Sequence, residues 1–173
     1  MKQQAKVHLI TGGQRSGKSV FAEKLASSLS DQPIYLATSK KGDGEFDERI
    51  KVHQQRRSVK WKTIEEEINL HLQDLTGKVV LVDCITLWLT NIYDEFEFDK
   101  EKTLVKAEEI WEKLISQNCH LIVVSNEIGL GGISMHKMTR NFTDIHGLIN
   151  QKIANKAQEV TFIVSGYPMI VKS

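Results

Sequence analysis

Short unbroken apolar runs alternate along the chain with longer stretches in which apolar residues return every three or four positions. The runs fall at 7–11, 34–38, 79–83, 121–124 and 160–164, with a shorter one at 169–171. Runs of four or five residues with no polar alternation predict strands buried on both faces. The stretches between them predict helices. One covers 18–30, with Phe21, Leu25 and Leu29 four apart on the inward side. A second covers 99–117, with Leu104, Ala107, Trp111 and Leu114 inward, and a third covers 138–158, with Phe142, Ile145, Ile149 and Ile153 inward. Residues 45–57 have helical composition, and 64–75 reads as a further helix ended by Gly77. Residues 40–44 and the glycine-rich 129–134 read as loops.

Buried strands alternating with amphipathic helices predict an α/β chain: a mainly parallel central sheet covered by helices on both faces. Ligands in such sheets bind beyond the carboxyl ends of the strands, where Thr11, Thr38, Asp83 and Ser125 fall. The length of 173 residues fits one domain spanning 1–173. No repeat or linker interrupts it, and the two prolines, Pro33 and Pro168, sit at element edges.

One run of residues carries chemistry outright. Gly12-Gly13-Gln14-Arg15-Ser16-Gly17-Lys18-Ser19 fits G-x-x-x-x-G-K-[ST] in full, between a strand and a helix, which is the setting that motif needs. The glycines let backbone amides curl around phosphate oxygens, and the following helix aims its positive end at the same anion. Lys18 would reach the β- and γ-phosphates, and the Ser19 hydroxyl would ligate Mg²⁺. This makes the expected architecture a P-loop three-layer fold with ATP or GTP as substrate.

Two further features are open to two readings each. Asp83 ends the strongest apolar run, where an acid that holds Mg²⁺ would sit; the alternative is a carboxylate that starts a turn or caps Thr86-Leu87-Trp88. Arg49, His53 and Arg57 are spaced four apart and Arg56 is three from His53, so on a helix they share a side. A histidine among guanidiniums suits a polyphosphate and stays neutral and nucleophilic there. The alternative is a core histidine in line with Phe46 and Ile50, with the arginines solvated. His8, His71, His120, His136 and His146 show no ligand or triad spacing and read as structural or surface residues.

Charge and cysteine content narrow the partners. The formal net charge of +1, with 26% charged and 40% apolar residues, gives no global attraction to nucleic acid or to an anionic membrane. Cys84 and Cys119 form no C-x-x-C pair or metal spacing, which suits a reduced cytoplasmic setting. No stretch approaches the ~18 apolar residues of a membrane span, and the first residues lead into a strand with no long apolar signal region.

Taken in order along the chain, these segments resemble the bifunctional adenosylcobinamide kinase/adenosylcobinamide-phosphate guanylyltransferase family of cobalamin synthesis. Residues 10–19 are similar to its T-G-G-x-R-S-G-K-S opening, and Tyr35-Leu36-Ala37-Thr38-Ser39 to its second strand. Residues 48–57 are similar to its R-I-x-x-H-x-x-x-R helix, and 61–65 to its W-x-T-x-E stretch. Asp83-Cys84-Ile85-Thr86 with Thr90-Asn91 is similar to [DE]-C-[IL]-T, Ser125–Gly129 to T/S-N-E-V-G, and 140–144, with Asn150-Gln151 after it, to R-x-F-x-D. At Gly131-Gly132-Ile133-Ser134 the chain has an extra glycine and lacks the family's proline.

The resemblance implies two steps: phosphorylation of the aminopropanol hydroxyl of adenosylcobinamide, then transfer of GMP from GTP to that phosphate with release of pyrophosphate. It implies His53 as the residue that becomes guanylylated. It also implies a nucleotide site made of Gly12 to Ser19, Ala37 to Ser39, Gln54, Gln55, Arg56, Arg57, Glu65 and Asp83, with Glu65 facing guanine N–H donors, and it implies a homotrimer. Three other readings compete: a small-molecule kinase without guanylyl transfer, a non-enzymatic GTP switch, and a nucleic-acid-dependent ATPase. The switch lacks an N-K-x-D guanine motif. The ATPase lacks a basic stripe with aromatics, in a chain that is 7% aromatic.

Overall fold

The computed structural model describes residues 4–40 and 60–173. The expected helix over 45–57, and with it Arg49, His53, Gln54, Gln55, Arg56 and Arg57, lies outside the described residues. So does most of the loop expected at 40–44.

Seven strands form one sheet: β1 (Lys6–Gly12), β2 (Ile34–Ala37), β3 (Lys62–Glu65), β4 (Val79–Asp83), β5 (His120–Val124), β6 (Glu159–Val164) and β7 (Tyr167–Lys172). Their order is β3-β2-β4-β5-β1-β6-β7. All neighbours are parallel except β6 and β7, which form an antiparallel hairpin. The described helices are α1 (Lys18–Leu29), α2 (Ile85–Glu95), α3 (Lys100–Ile115) and α4 (Lys137–Lys156).

Strand residues alternate between two buried faces, as a parallel core sheet requires. Val7, Leu9, Val80, Val82, Leu121 and Val123 join the larger core with Trp88, Trp111, Ile149 and others from α2, α3 and α4. Ile10, Leu81, Ile122 and Val124 face the other way, against Ala22 and Ala26 of α1. Phe21 and Leu25 pack half-buried against this core as expected, but the fully buried positions of α1 are Ala22 and Ala26 and Leu29 is exposed, so the inward face is rotated by one residue from the expected one.

The helix expected over 64–75 does not form. Residues 62–65 instead add β3 in parallel to the edge of β2. The Glu66 carboxylate then accepts from the amides of Ile68 and Asn69 at 3.0 and 2.8 Å, a local turn that competes with the helical ladder. A short 3-10 turn follows at Leu70–Leu72. The four-residue spacing of Ile64, Ile68 and Leu72 is coincidental, since Leu72 is exposed while Leu70 and Leu75 are buried. Side chains from α2 and from the turn after α3 satisfy this irregular backbone. Trp88 Nε1 donates to the Ile68 carbonyl at 2.8 Å, and Gln117 donates to the carbonyls of His71 and Gln73.

α2 went unassigned in the sequence reading, although Ile85, Trp88, Leu89 and Ile92 have helical i, i+3, i+4, i+7 spacing and are all buried. Trp88 tests this arrangement. Trp88→Phe should keep most of the packing but remove one of the two hydrogen bonds to the Ile68 carbonyl, which keeps the Leu70 amide at 3.0 Å, lowering unfolding stability by about 1 kcal/mol with an unchanged urea m-value.

Candidate active site

Among the described residues, the strand register places the strand-end candidates Ala37, Glu65 and Asp83 in one row at the carboxyl edge of the sheet. Glu65 pairs with Ala37, Ala37 with Asp83, Asp83 with Val124 and Val124 with Ile10. The residues that follow each strand, namely Thr38, Cys84, Ser125 and the loop after Gly12, therefore share one rim. Asp83 and the end of β1 are separated by β5, two strand spacings or about 10 Å. A groove of about 330 Å³ lined by Gln4, Lys6, Lys156 and Gln158 lies at the opposite, amino ends of the strands and takes no part in this rim.

The loop from Gly12 to Gly17 is backed by β6 and the β6–β7 turn. Gly12 has φ +152°, and a Cβ there would lie 2.5 Å from the Ile163 carbonyl oxygen and 2.9 Å from Ser16 Oγ, so only glycine fits. The hairpin turn Ser165–Gly166 has positive φ at both residues, as a tight two-residue connection requires, and the Gly166 amide donates to the Ser16 carbonyl at 2.8 Å. On the β5 side, the Glu127 amide donates to the Gly12 carbonyl at 2.8 Å. Gln14 and Arg15 are exposed on the loop's outer curve, and Arg15 takes the left-handed conformation.

α1 begins directly after left-handed Gly17, with no side-chain cap and no acidic residue in its first turn. Its leading amides are thus left for an external acceptor, where the helix dipole favours an anion. Ser16 Oγ is buried with no hydrogen-bond partner. Lys18 is buried and its Nζ donates back to the Gly13 carbonyl at 2.6 Å. Burial pulls the Lys18 ammonium below the ordinary lysine value, and Cys84 and Asp83 oppose that shift. Ser19 follows in the first turn of α1 and is half-buried.

Asp83 is half-buried at the end of β4, and Tyr35 Oη donates to its Oδ2 at 2.8 Å. It does not cap α2, whose N-cap position is Cys84. The Cys84 thiol is pushed up to about 12, by burial first and the Asp83 charge second, so it stays protonated. Ala37, Thr38 and Ser39 lead from β2 into the rim. Every polar group of Thr38 is engaged with protein. Its amide donates to the Asp83 carbonyl, its hydroxyl accepts from the Cys84 amide and donates to the Cys84 carbonyl, and its carbonyl accepts from Asn91. Thr38 thereby ties the exits of β2 and β4 together. Glu65 ends β3 with its side chain exposed.

From sequence, His146 has no role beyond a structural or surface one, Asn91 is placed only within a matched segment, and nothing is assigned to Ser165 and Gly166. His146 is 1% exposed, and burial holds its imidazole down to about 4. Asn91 and Ser165-Gly166 offered a signal, the former as an amide inside an apolar helix face and the latter as a turn pair between two strands.

A model of a protein family described as cobinamide kinase / cobinamide phosphate guanyltransferase matches residues 8–171. The chain belongs to that family. It is 40% identical over 171 residues to the bifunctional adenosylcobalamin biosynthesis protein CobP of Pseudomonas aeruginosa, covering 95% of this chain and 96% of the relative. It is 36% identical over 181 residues to the bifunctional adenosylcobalamin biosynthesis protein CobU of Escherichia coli, covering 95% and 98%. A solved structure from Pyrococcus horikoshii OT3 overlays 99% of this chain and 88% of its own with a TM-score of 0.55 at 11% identity, a likeness of fold alone. As a member of the cobinamide kinase / cobinamide phosphate guanyltransferase family, the chain is a bifunctional enzyme of cobalamin biosynthesis, with kinase and guanylyltransferase activity. No described helix is long and apolar enough to cross a membrane.

Two measurements follow from this geometry. Gly12→Ala places a methyl group against the Ile163 carbonyl, so the loop must shift. Calorimetry should show nucleotide binding weakened about ten-fold or more, together with a stability loss of about 1–3 kcal/mol. For His146 the unfolded imidazole binds a proton near 6.5 and the folded one near 4. Its contribution to stability is therefore complete above 6.5 and falls as the pH drops toward 4, by roughly 3 kcal/mol in all. Urea unfolding of wild type and His146→Gln should diverge across that window and run parallel above it.

Proposed function

We propose that the loop from Gly12 to Ser19 holds the triphosphate of GTP or ATP for both reactions, and that the partners in turn are adenosylcobinamide and adenosylcobinamide phosphate. The observation that carries this reading is the uncapped start of α1 beside the unpartnered Ser16 hydroxyl and the buried Lys18. Three kinds of donor converge there, and nothing acidic in that helix turn opposes an anion. Ala37, Ser39 and Glu65 lie along the same rim and would complete the nucleotide site with Gln54, Gln55, Arg56 and Arg57. Thr38 contributes by fixing its two neighbours.

The oxygen set of Ser19 and Asp83 fits Mg²⁺. That ion takes few protein ligands and keeps waters and phosphate oxygens for the rest, and Tyr35 occupies only one Asp83 oxygen. Among the described residues no cluster of three His, Cys, Asp or Glu builds a full protein cage. When bound, the ion would neutralise charge on the phosphates. In the kinase step the cobinamide hydroxyl attacks the γ-phosphorus, the bond to the β-bridging oxygen breaks, and the hydroxyl proton is lost. Lys18 and the loop amides hold the leaving diphosphate.

In the second step the His53 imidazole attacks the α-phosphorus of GTP and pyrophosphate leaves. A phosphate oxygen of the cobinamide then attacks the same phosphorus and the N–P bond breaks. This splits one displacement into two. The match of residues 48–57 to the family's histidine helix supports the role. A homotrimer is proposed on the same resemblance, and a cytoplasmic setting on the two free cysteines, Cys84 and Cys119. Edge strand β7, with Tyr167, Met169, Ile170 and Val171 all exposed, offers apolar surface for assembly.

His53→Ala should abolish GMP transfer and the acid-labile adduct formed from α-labelled GTP, while kinase activity remains. An adduct in the Ala variant would place the nucleophile elsewhere. Lys18→Ala and Asp83→Asn should each lower both rates by about 100-fold or more, read by product mass across a Mg²⁺ titration. Wild-type rates in either would remove that residue from the site.

A further inference from the structure

Behind the rim lies a buried polar cluster that neither step uses. His146 of α4 sits at its centre, 1% exposed. Its Nε2 is 2.9 Å from Thr86 Oγ1, at the start of α2, and 3.4 Å from Ser125 Oγ, just beyond β5. Its Nδ1 is 3.3 Å from Asn150 Nδ2, one turn along α4. Phe142, one turn back, packs at 6.0 Å between ring centroids.

The donors and acceptors leave one arrangement. The Ser125 hydroxyl donates to Asn150 Oδ1 at 2.6 Å, so the amide end that faces His146 is the Nδ2 donor, which also reaches the Asn126 carbonyl at 3.2 Å. His146 Nδ1 must accept and its proton must sit on Nε2, aimed at Thr86 Oγ1. Thr86 Oγ1 also accepts from the amide and the side chain of Asn126, at 3.3 and 3.0 Å. One imidazole thus ties α2, α4 and the exit of β5 together, and every partner is neutral.

The residue after Asn126 is Glu127, whose amide holds the Gly12 carbonyl. On its other side Gly12 has no space toward Ile163. The first residue of the phosphate loop is therefore clamped between β6 and a segment whose position His146 sets. We propose that His146 is a positioning residue for both reactions: its neutral imidazole, through Thr86 and Asn126, fixes Glu127 against Gly12 and so fixes the phosphate loop relative to the rim. This rests on the assignment of that loop to nucleotide phosphates.

The test compares full-length wild type, His146→Leu, His146→Gln, Thr86→Val and Lys18→Ala at a temperature where unfolding curves show each to be folded. Leu fills the space without a polar atom, whereas Gln can place an N–H where Nε2 stands. In His146→Leu, kcat should fall about ten-fold or more in both reactions by the same factor, because misplacing reacting groups by about 1 Å costs up to ~100-fold. Nucleotide Kd should change by less than about three-fold, since the loop amides and Lys18 remain. His146→Gln should recover kcat to within about three-fold of wild type.

A native kcat in folded His146→Leu overturns the proposal. So does an equal loss in the Leu and Gln variants, or a loss confined to one reaction. If His146→Leu does not fold, Thr86→Val carries the test: a shared fall in both rates supports the proposal, and native rates overturn it. Lys18→Ala reports separately on the phosphate-loop assignment. Full activity in that variant would refute the assignment, whatever His146 does.

Discussion

The contact on which the rest of the site depends is the approach of Gly12 to the Ile163 carbonyl. β1 is flanked by β5 and β6, and the chain leaving β1 must turn up between them. With a bare Cα at Gly12 the loop can lie back on β6, and α1 then starts at the height where its amides face the rim. Any side chain there would meet the Ile163 carbonyl and Ser16 Oγ and displace the loop from β6. The hydrogen bonds from Gly166 and Glu127 then hold what the steric fit allows. A generic motif is thus placed by two neighbouring strands specific to this sheet.

Burial and charge act together around that loop. Lys18 gives up solvent, which weakens its hold on a proton, and Asp83 on the same rim restores part of that hold. The helix behind the loop carries no acid in its first turn that would satisfy the amides from within. A cation, a helix end and a buried hydroxyl are therefore presented together, an arrangement that stabilises an anion more than water does.

The parts of the fold legible from sequence were those set by a single physical signal. The apolar runs became strands because nothing polar within them could face solvent. The strand–loop–helix setting of residues 12–19 could be read because glycine-rich turns are a local signal. The segment after β3 misled because spacing alone cannot separate an edge strand and a turn from a helix, and the deciding interaction, the Glu66 carboxylate on two nearby amides, leaves no periodic trace. α2 is legible in the i, i+3, i+4, i+7 spacing of Ile85, Trp88, Leu89 and Ile92, although it starts only two residues after β4 with no side-chain cap to mark its beginning. His146 was read as structural or surface, since its partners Thr86, Ser125 and Asn150 are brought together only by packing of α2, β5 and α4. The contact of Gly166 with the phosphate loop is equally non-local.

The β1–β6 pairing has a consequence in time. His8 and Thr161 bond across the two strands although 153 positions separate them in the chain. The loop after β1 is synthesised before its backing, which arrives with β6 and the turn at Gly166. Closing so long a stretch of chain is slow relative to local helix formation. Nascent chains therefore carry a complete loop sequence that has no seat until β6 pairs with β1. A nucleotide held by this loop as proposed would need the β1–β6 pairing in place, and so would favour that pairing by mass action.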